Sequence, residues 1–161
     1  MSIKNLKDLK KVLEPYLVKA LELTRDDIYD VFSKMLNDYY TEPVFNNPND
    51  PTQPVVYKRT DKLRDSFTAS EIIKFDGIYS FRVGYWDDYL TFRYPGNSKW
   101  KNNVPATGQD VLEWFNSGSH GGTVKGSFNF WDMGLDYIQT EYGGIQRMFI
   151  SNCKKVGLNI H

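Results

Sequence analysis

The catalytic inventory of this 161-residue chain is thin: its only histidines are His120 and His161, and its one cysteine is Cys153. A hydrolase would pair Ser117 or Ser119, as nucleophile, with His120. Side chains adjacent in sequence rarely aim at one another, and no strained G-x-S-x-G turn presents a serine. A polar, glycine-rich loop is the better reading of 117–122. The same stretch lacks the lysine and the serine or threonine with which a P-loop holds phosphate and magnesium. A nucleophilic Cys153 would need a base and an electropositive setting. It falls on a helical face between Phe149 and Val156, which predicts a buried structural thiol. Asp87 and Asp88 offer paired carboxylates or metal ligands, but adjacent side chains diverge on extended backbone, and a hairpin turn suits them better.

The other charged constellation is basic. Lys58, Arg59, Lys62 and Arg64 spread positive charge around one short segment. Thr60 can cap a helix there by accepting a free backbone N–H of the first turn. Leu63 and Phe67, four apart, then share one helical face over 61–68. Such a capped, one-sided turn can pin a helical half of the chain onto a sheet. The cations could meet DNA phosphates, but twenty basic residues balance twenty acidic ones. A whole-domain nucleic-acid binder is usually strongly basic. A solvated turn, or salt bridges to acids of a neighbouring subunit, is therefore preferred. Asp87 and Asp88 are candidate negative partners for this basic turn, and Trp100 a candidate apolar anchor.

The elements that position these residues follow from periodicity. Ile3, Leu6, Leu9 and Leu13 have helical spacing, and Pro15 is expected to end that helix or to open the next. Thr24 with Asp27 three residues later reads as a variant capping box. A firm helix follows over about 25–39, with Ile28, Val31, Phe32, Met35 and Leu36 on its apolar face. Residues 41–56 hold Pro43, Pro48, Pro51 and Pro54 and are expected to be an exposed, mobile loop. Ser70–Phe75 reads as a strand, Asp76-Gly77 as a hairpin turn. Ile78–Tyr85 returns with Tyr79, Phe81, Val83 and Tyr85 on one face. Tyr89–Tyr94 adds a third strand, giving an antiparallel meander. Asp110 can cap a short helix through Phe115, and 123–130 forms a short strand or extended arm. Leu135, Ile138, Tyr142, Ile145, Phe149 and Val156 keep helical spacing across Gly143-Gly144, where two helices or a sharp kink are expected.

Taken together, these elements predict a single α+β domain: N-terminal helices over 3–40, a sheet over 70–94, and C-terminal helices over 131–156 packed on it. At this length the chain can bury ~70% of the surface its unfolded form exposes. One cysteine permits no intrachain disulfide, which suits a reducing compartment. No apolar run approaches the ~20 residues of a membrane span. Aromatic residues make up 16% of the chain, a surplus that suits interfaces.

The segment Tyr57-Lys-Arg-Thr60, with Leu63-Arg64 and Ser66, resembles the signature of the tail-completion, or head–tail joining, proteins of long-tailed bacteriophages. Asp61 stands where the family usually has glycine. Leu112-Glu-Trp-Phe-Asn-Ser-Gly118 and Phe130-Trp-Asp-Met-Gly-Leu135 are similar to further family segments, as is a closing amphipathic helix from about Ile145. By order of elements the resemblance covers roughly 10–158. It implies a structural virion protein of the neck, assembled in the bacterial cytoplasm, without enzymatic activity or cofactor. It implies a ring of copies, most readily six, in contact with the head-closure and tail-tube proteins. DNA passing through such a ring would need only weak, sequence-blind contacts. Two other readings stay open: a small cytosolic hydrolase using His120, and a phage protein that binds a bacterial host partner.

Overall fold

A computed structural model describes residues 5–41, 62–85, 92–93, 105–106, 113, 129–158 and 160. Among them are helices α1 (Leu6–Thr41), α2 (Lys62–Asp65), α3 (Phe130–Tyr142) and α4 (Ile145–Lys155). Six short strands are β1 (Phe67–Ala69), β2 (Ile73–Phe75), β3 (Ile78–Ser80), β4 (Val83–Tyr85), β5 (Phe92–Arg93) and β6 (Pro105–Ala106). The class is α+β, with a long N-terminal helix, a small antiparallel sheet and C-terminal helices.

The N-terminal helical region is one continuous helix of 36 residues. Asn5 starts it: its side-chain oxygen accepts the Asp8 N–H at 3.0 Å, an N-cap bond. Pro15 does not end it. The ring removes one intrahelical hydrogen bond, to the carbonyl of Lys11, but Pro15 and Lys11 both lie on the exposed side. Water can hydrate a carbonyl freed there, so the cost stays local. The capping box at Thr24 is also corrected. Thr24 is buried in mid-helix, and its hydroxyl donates back to the Ala20 carbonyl at 2.8 Å. The apolar face of the second half is as expected, with Ile28, Val31, Phe32 and Leu36 buried.

The sheet region is a long hairpin in two stretches. β1 pairs with β4, and β2 pairs antiparallel with β3 in the register Ile73↔Ser80, Lys74↔Tyr79, Phe75↔Ile78. Between the stretches, the Ser70 N–H donates to the Arg82 carbonyl at 2.8 Å, and the Arg82 N–H to Ser70 Oγ at 2.9 Å. The turn is the expected one: Asp76 (φ 48°) and Gly77 (φ 77°) both take positive φ, as a type I′ turn requires. Of the expected third strand, Phe92–Arg93 is β5, and it pairs with β6 at 105–106. Phe67 lies in β1 and does not continue α2, so it shares no helical face with Leu63.

Gly143 and Gly144 separate α3 from α4. The buried stripe differs in phase from the expected one. On α3 it is Phe130, Gly134 and Ile138, and on α4 it is Met148 and Asn152, with Cys153 beside it. Leu135, Tyr142 and Ile145 are exposed instead. The glycine pair resets the helical phase, so a stripe extrapolated across it misassigns residues on both sides. α4 ends in a Schellman motif: the Leu158 N–H reaches the Cys153 carbonyl at 2.8 Å and the Gly157 N–H the Lys154 carbonyl at 3.0 Å. Gly157 supplies the left-handed residue this ending needs, at φ 91°.

Contacts divide the chain into two compact units. The first comprises Met1–Val31, Ala69–Val83 and Leu135–His161; the second comprises Phe32–Thr68 and Gly84–Gly134. The second unit has an aromatic core. Phe32 lies 5.1 Å from Phe130 and 4.7 Å from Trp131, ring centroid to centroid, and Phe67 lies 5.7 Å from Phe130. Tyr85 closes the cluster against Phe67 at 5.1 Å. Gly134 makes this packing feasible: a Cβ there would lie 2.2 Å from Phe32 Cε1.

Candidate functional site

The basic turn is half described. Lys62 is exposed in α2, and Arg64 carries a salt bridge to its neighbour Asp65 at 3.3 Å. Between them Leu63 is buried, and Ser66 is buried with its hydroxyl donating to the Leu63 carbonyl at 2.8 Å. The turn is thus anchored from inside by Leu63 and Ser66 and presents Lys62 outward. Lys58, Arg59 and Thr60 lie outside the described residues, as do Asp87, Asp88, Trp100, the Pro43–Pro54 segment, the segment 117–122 with His120, and His161. Of the expected interface set, α2 therefore brings together Lys62 and Arg64.

Cys153 is fully buried, and desolvation pushes its thiol above the ordinary cysteine pKa. That favours the neutral thiol over the reactive thiolate, in keeping with the structural role expected for it. No group of three or more acids, histidines or cysteines that could hold a metal occurs among the described residues. No helix among them is long and apolar enough to cross a membrane.

The first unit contains a polar cluster that sequence reasoning missed. Asn152 on α4 is fully buried. Its amide donates to Thr24 Oγ1 at 3.1 Å and to Asp27 Oδ2 at 2.8 Å, both on α1. Lys155, one turn further along α4, places its ammonium 3.9 Å from the same Asp27 oxygen. Asp27, expected to serve a helix N-terminus, instead receives α4. The signal available in the sequence was the spacing Met148, Asn152, Val156, an i, i+4, i+8 stripe with a polar centre. The cluster fixes the register of α4 on α1, because one amide must satisfy two acceptors a turn apart.

A second set of polar anchors holds the hairpin to α1. The Arg25 guanidinium donates to the Ser70 carbonyl at 3.1 Å. Lys74 forms a salt bridge with Glu14, and its ammonium lies 5.3 Å from the centre of the Tyr79 ring. At the tip, Lys10 Nζ lies 3.6 Å from the position a Cβ on Gly77 would take. From Arg25 to Lys10 a helix rises roughly 22 Å. From Ser70 to Gly77 a strand advances roughly 23 Å. The two lengths match, so the hairpin runs antiparallel along α1 without slack.

This geometry leaves the ribbon inverted. Lys74 and Tyr79 share the face that lies on α1, while Ile73, Phe75, Ile78 and Ser80 share the other. Phe75 is 80% exposed, Ile78 69% and Ile73 51%. The apolar face therefore points to solvent and the polar one to the helix. Monomeric domains rarely keep such a face open unless something binds it.

No protein-family model matches this chain, and no curated protein or solved structure matches it.

Proposed function

We propose that the chain is a structural assembly protein of a long-tailed bacteriophage, a tail-completion protein that joins the tail tube to the neck. The observation that carries the reading is the build of the signature turn. The resemblance rests on Leu63, Arg64 and Ser66 together with Tyr57-Lys-Arg-Thr60. Leu63 and Ser66 are its buried anchors, Lys62 is exposed, and the half-buried Arg64 pairs with the exposed Asp65. That division suits a segment that braces the subunit from inside and offers charge to a neighbour. The outward apolar face of β2 and β3 also suits a protein whose work is to assemble. In this reading the protein is no enzyme and needs no cofactor. It acts as a ring of about six copies between head-closure and tail-tube proteins in the virion, and Lys58, Arg59, Lys62 and Arg64 belong to the contact surface.

Sedimentation of the purified chain, alone and mixed with the tail-tube protein of the same phage, tests this. The expected result is a ring-sized species that co-sediments with tube ends. The reading is abandoned if tubes neither bind the chain nor change its mass. Arg59→Glu with Arg64→Glu is expected to block ring formation while circular dichroism stays unchanged.

A further inference from the structure

The first unit carries two exposed apolar patches of different charge. One is the outward face of the β2–β3 hairpin, with Phe75 and Ile78 at its tip. Lys10 lies against that tip, and Lys7 and Lys11 are exposed beside it on α1, as is Leu6 one turn before Lys10. With Lys74 these lysines make four ammonium groups against the three carboxylates of Asp8, Glu14 and Asp76, and the Lys74–Glu14 pair neutralises itself, which leaves the tip with surplus positive charge. The other patch runs along α3 to the α3–α4 junction: Leu135 and Tyr142, seven residues apart and so on one helical face, and Ile145 at the start of α4 are between 42% and 47% exposed. Asp136, Glu141 and Asp30 are exposed around it, with Arg147 the one basic side chain from 135 to 147. Burial first, and then the charges of Asp27, Glu141 and Asp30 among its neighbours, push the Tyr142 hydroxyl above its ordinary pKa.

The patches are far apart. The hairpin tip meets α1 at Lys10 and Glu14, while Tyr142 feels Asp27 and Asp30. From Glu14 to Asp27 the helix rises roughly 20 Å. A subunit cannot close one patch on the other. A second subunit can, because an apolar surface with surplus lysines then meets an apolar surface with surplus acids. Burial of the large side chains would supply the affinity, and the charges the orientation.

We infer that the hairpin tip of one copy, through Phe75 and Ile78, docks on the α3–α4 junction of the next copy, around Leu135, Tyr142 and Ile145. The contact is heterologous, one patch on a different patch, so it propagates around a ring or along a stack. This deepens the assembly reading by naming the self-contact, and it rests on that reading only for the expectation that copies associate.

The test uses the full chain and two surface variants, Phe75→Asp with Ile78→Asp at the tip, and Leu135→Lys with Ile145→Lys at the junction. All four positions are exposed, so circular dichroism and thermal melting are expected to match wild type. Analytical ultracentrifugation over a concentration series is expected to show concentration-dependent oligomers for wild type. Each variant alone should associate more weakly by about tenfold or more. Mixed one to one, the two variants retain one intact tip and one intact junction, and should form a dimer that grows no further. Raised salt should weaken wild-type association. A wild-type monomer at every concentration overturns the inference, as does full assembly by either variant. A mixture that stays monomeric also overturns it, and then tip-to-tip pairing, a segment of the same chain or a foreign partner covers the hairpin. Tail-tube binding by a wild type lacking self-association would sink this contact and leave the neck reading standing.

Discussion

The second unit centres on Phe32, Phe67, Tyr85, Phe130 and Trp131, whereas the described part of the first is held in register by polar pairs that join α1 to α4 and to the hairpin. Aromatic rings bury large areas and tolerate several mutual tilts, so they supply stability with little say over register. The Asn152 amide and the Lys74 ammonium each meet particular oxygens on α1, so they supply register with modest stability. One chain thus uses two devices in different places. The hairpin, fixed by polar contacts on one face, is free to keep its other face apolar.

The comparison breaks first, and with the largest effect, at the aromatic cluster. Phe130 is fully buried against Phe32, Phe67 and Tyr85. Phe130→Ala is expected to cost about 3–5 kcal/mol, by lost burial plus an unfilled cavity. Gly134→Ala tests the same packing from the other side. Its methyl group would overlap the Phe32 ring, and an overpacked core of this kind loses about 1–3 kcal/mol. Urea denaturation measures both. Near wild-type stability in either variant would mean that the cluster is looser than its ring distances indicate.

Next in size is the polar pin. Asn152→Ala removes two hydrogen bonds, and Thr24 keeps its bond to Ala20 while Asp27 keeps Lys155 nearby. A loss of about 1–3 kcal/mol is expected. Asn152→Asp should be worse, because a carboxylate would then face Asp27 in a buried place. If Asn152→Ala were as damaging as Phe130→Ala, the contrast between the two units would fail.

The same contrast explains what could be read ahead of the structure. The apolar face of α1 from Ile28 to Leu36, the Asp76-Gly77 turn, the alternation of Tyr79 and Val83, and the break at Gly143-Gly144 are local patterns, and each was legible. Pro15 and Thr24 were misread for one reason. Local rules make both residues helix boundaries, but α1 runs straight through them. Thr24 remains because its hydroxyl bonds back to Ala20 and accepts from Asn152, 128 residues away in sequence. No window of sequence contains that pair. The inverted hairpin was half legible: alternation set Tyr79 apart from Ser80, and Tyr79 does lie on the α1 side, but no local pattern assigned a facing to Ile73, Phe75 and Ile78. The choice is made by Lys74 meeting Glu14 across 60 residues. Of the candidate interface, the inward roles of Leu63 and Ser66 give the basic turn a physical basis that charge alone did not.

The smallest effect concerns that last pair. Lys74 holds the Glu14 carboxyl below the ordinary glutamate pKa, and Glu14 holds the Lys74 ammonium above the ordinary lysine value. The signs fix the window. A carboxylate lowered in the folded state stabilises above its unfolded pKa, and that contribution is lost as pH falls through the lowered value. An ammonium raised in the folded state stabilises below its unfolded pKa, and loses that contribution as pH rises through the raised value. Between these limits the pair should hold the hairpin with no pH dependence of its own. Both groups are solvent-facing, so global unfolding should barely register the loss, and the hairpin amides should. Amide exchange over 73–80, corrected for intrinsic rates, is expected to quicken below the carboxylate range. It should quicken equally at neutral pH in Glu14→Gln and in Lys74→Met, and no further in the double variant. Exchange elsewhere in the first unit should stay unchanged, because Asn152 and Arg25 are separate anchors. Additive losses in the double variant would mean that each side chain steadies the tip through other neighbours, and that the hairpin's register is set by Arg25 and Ser70 alone.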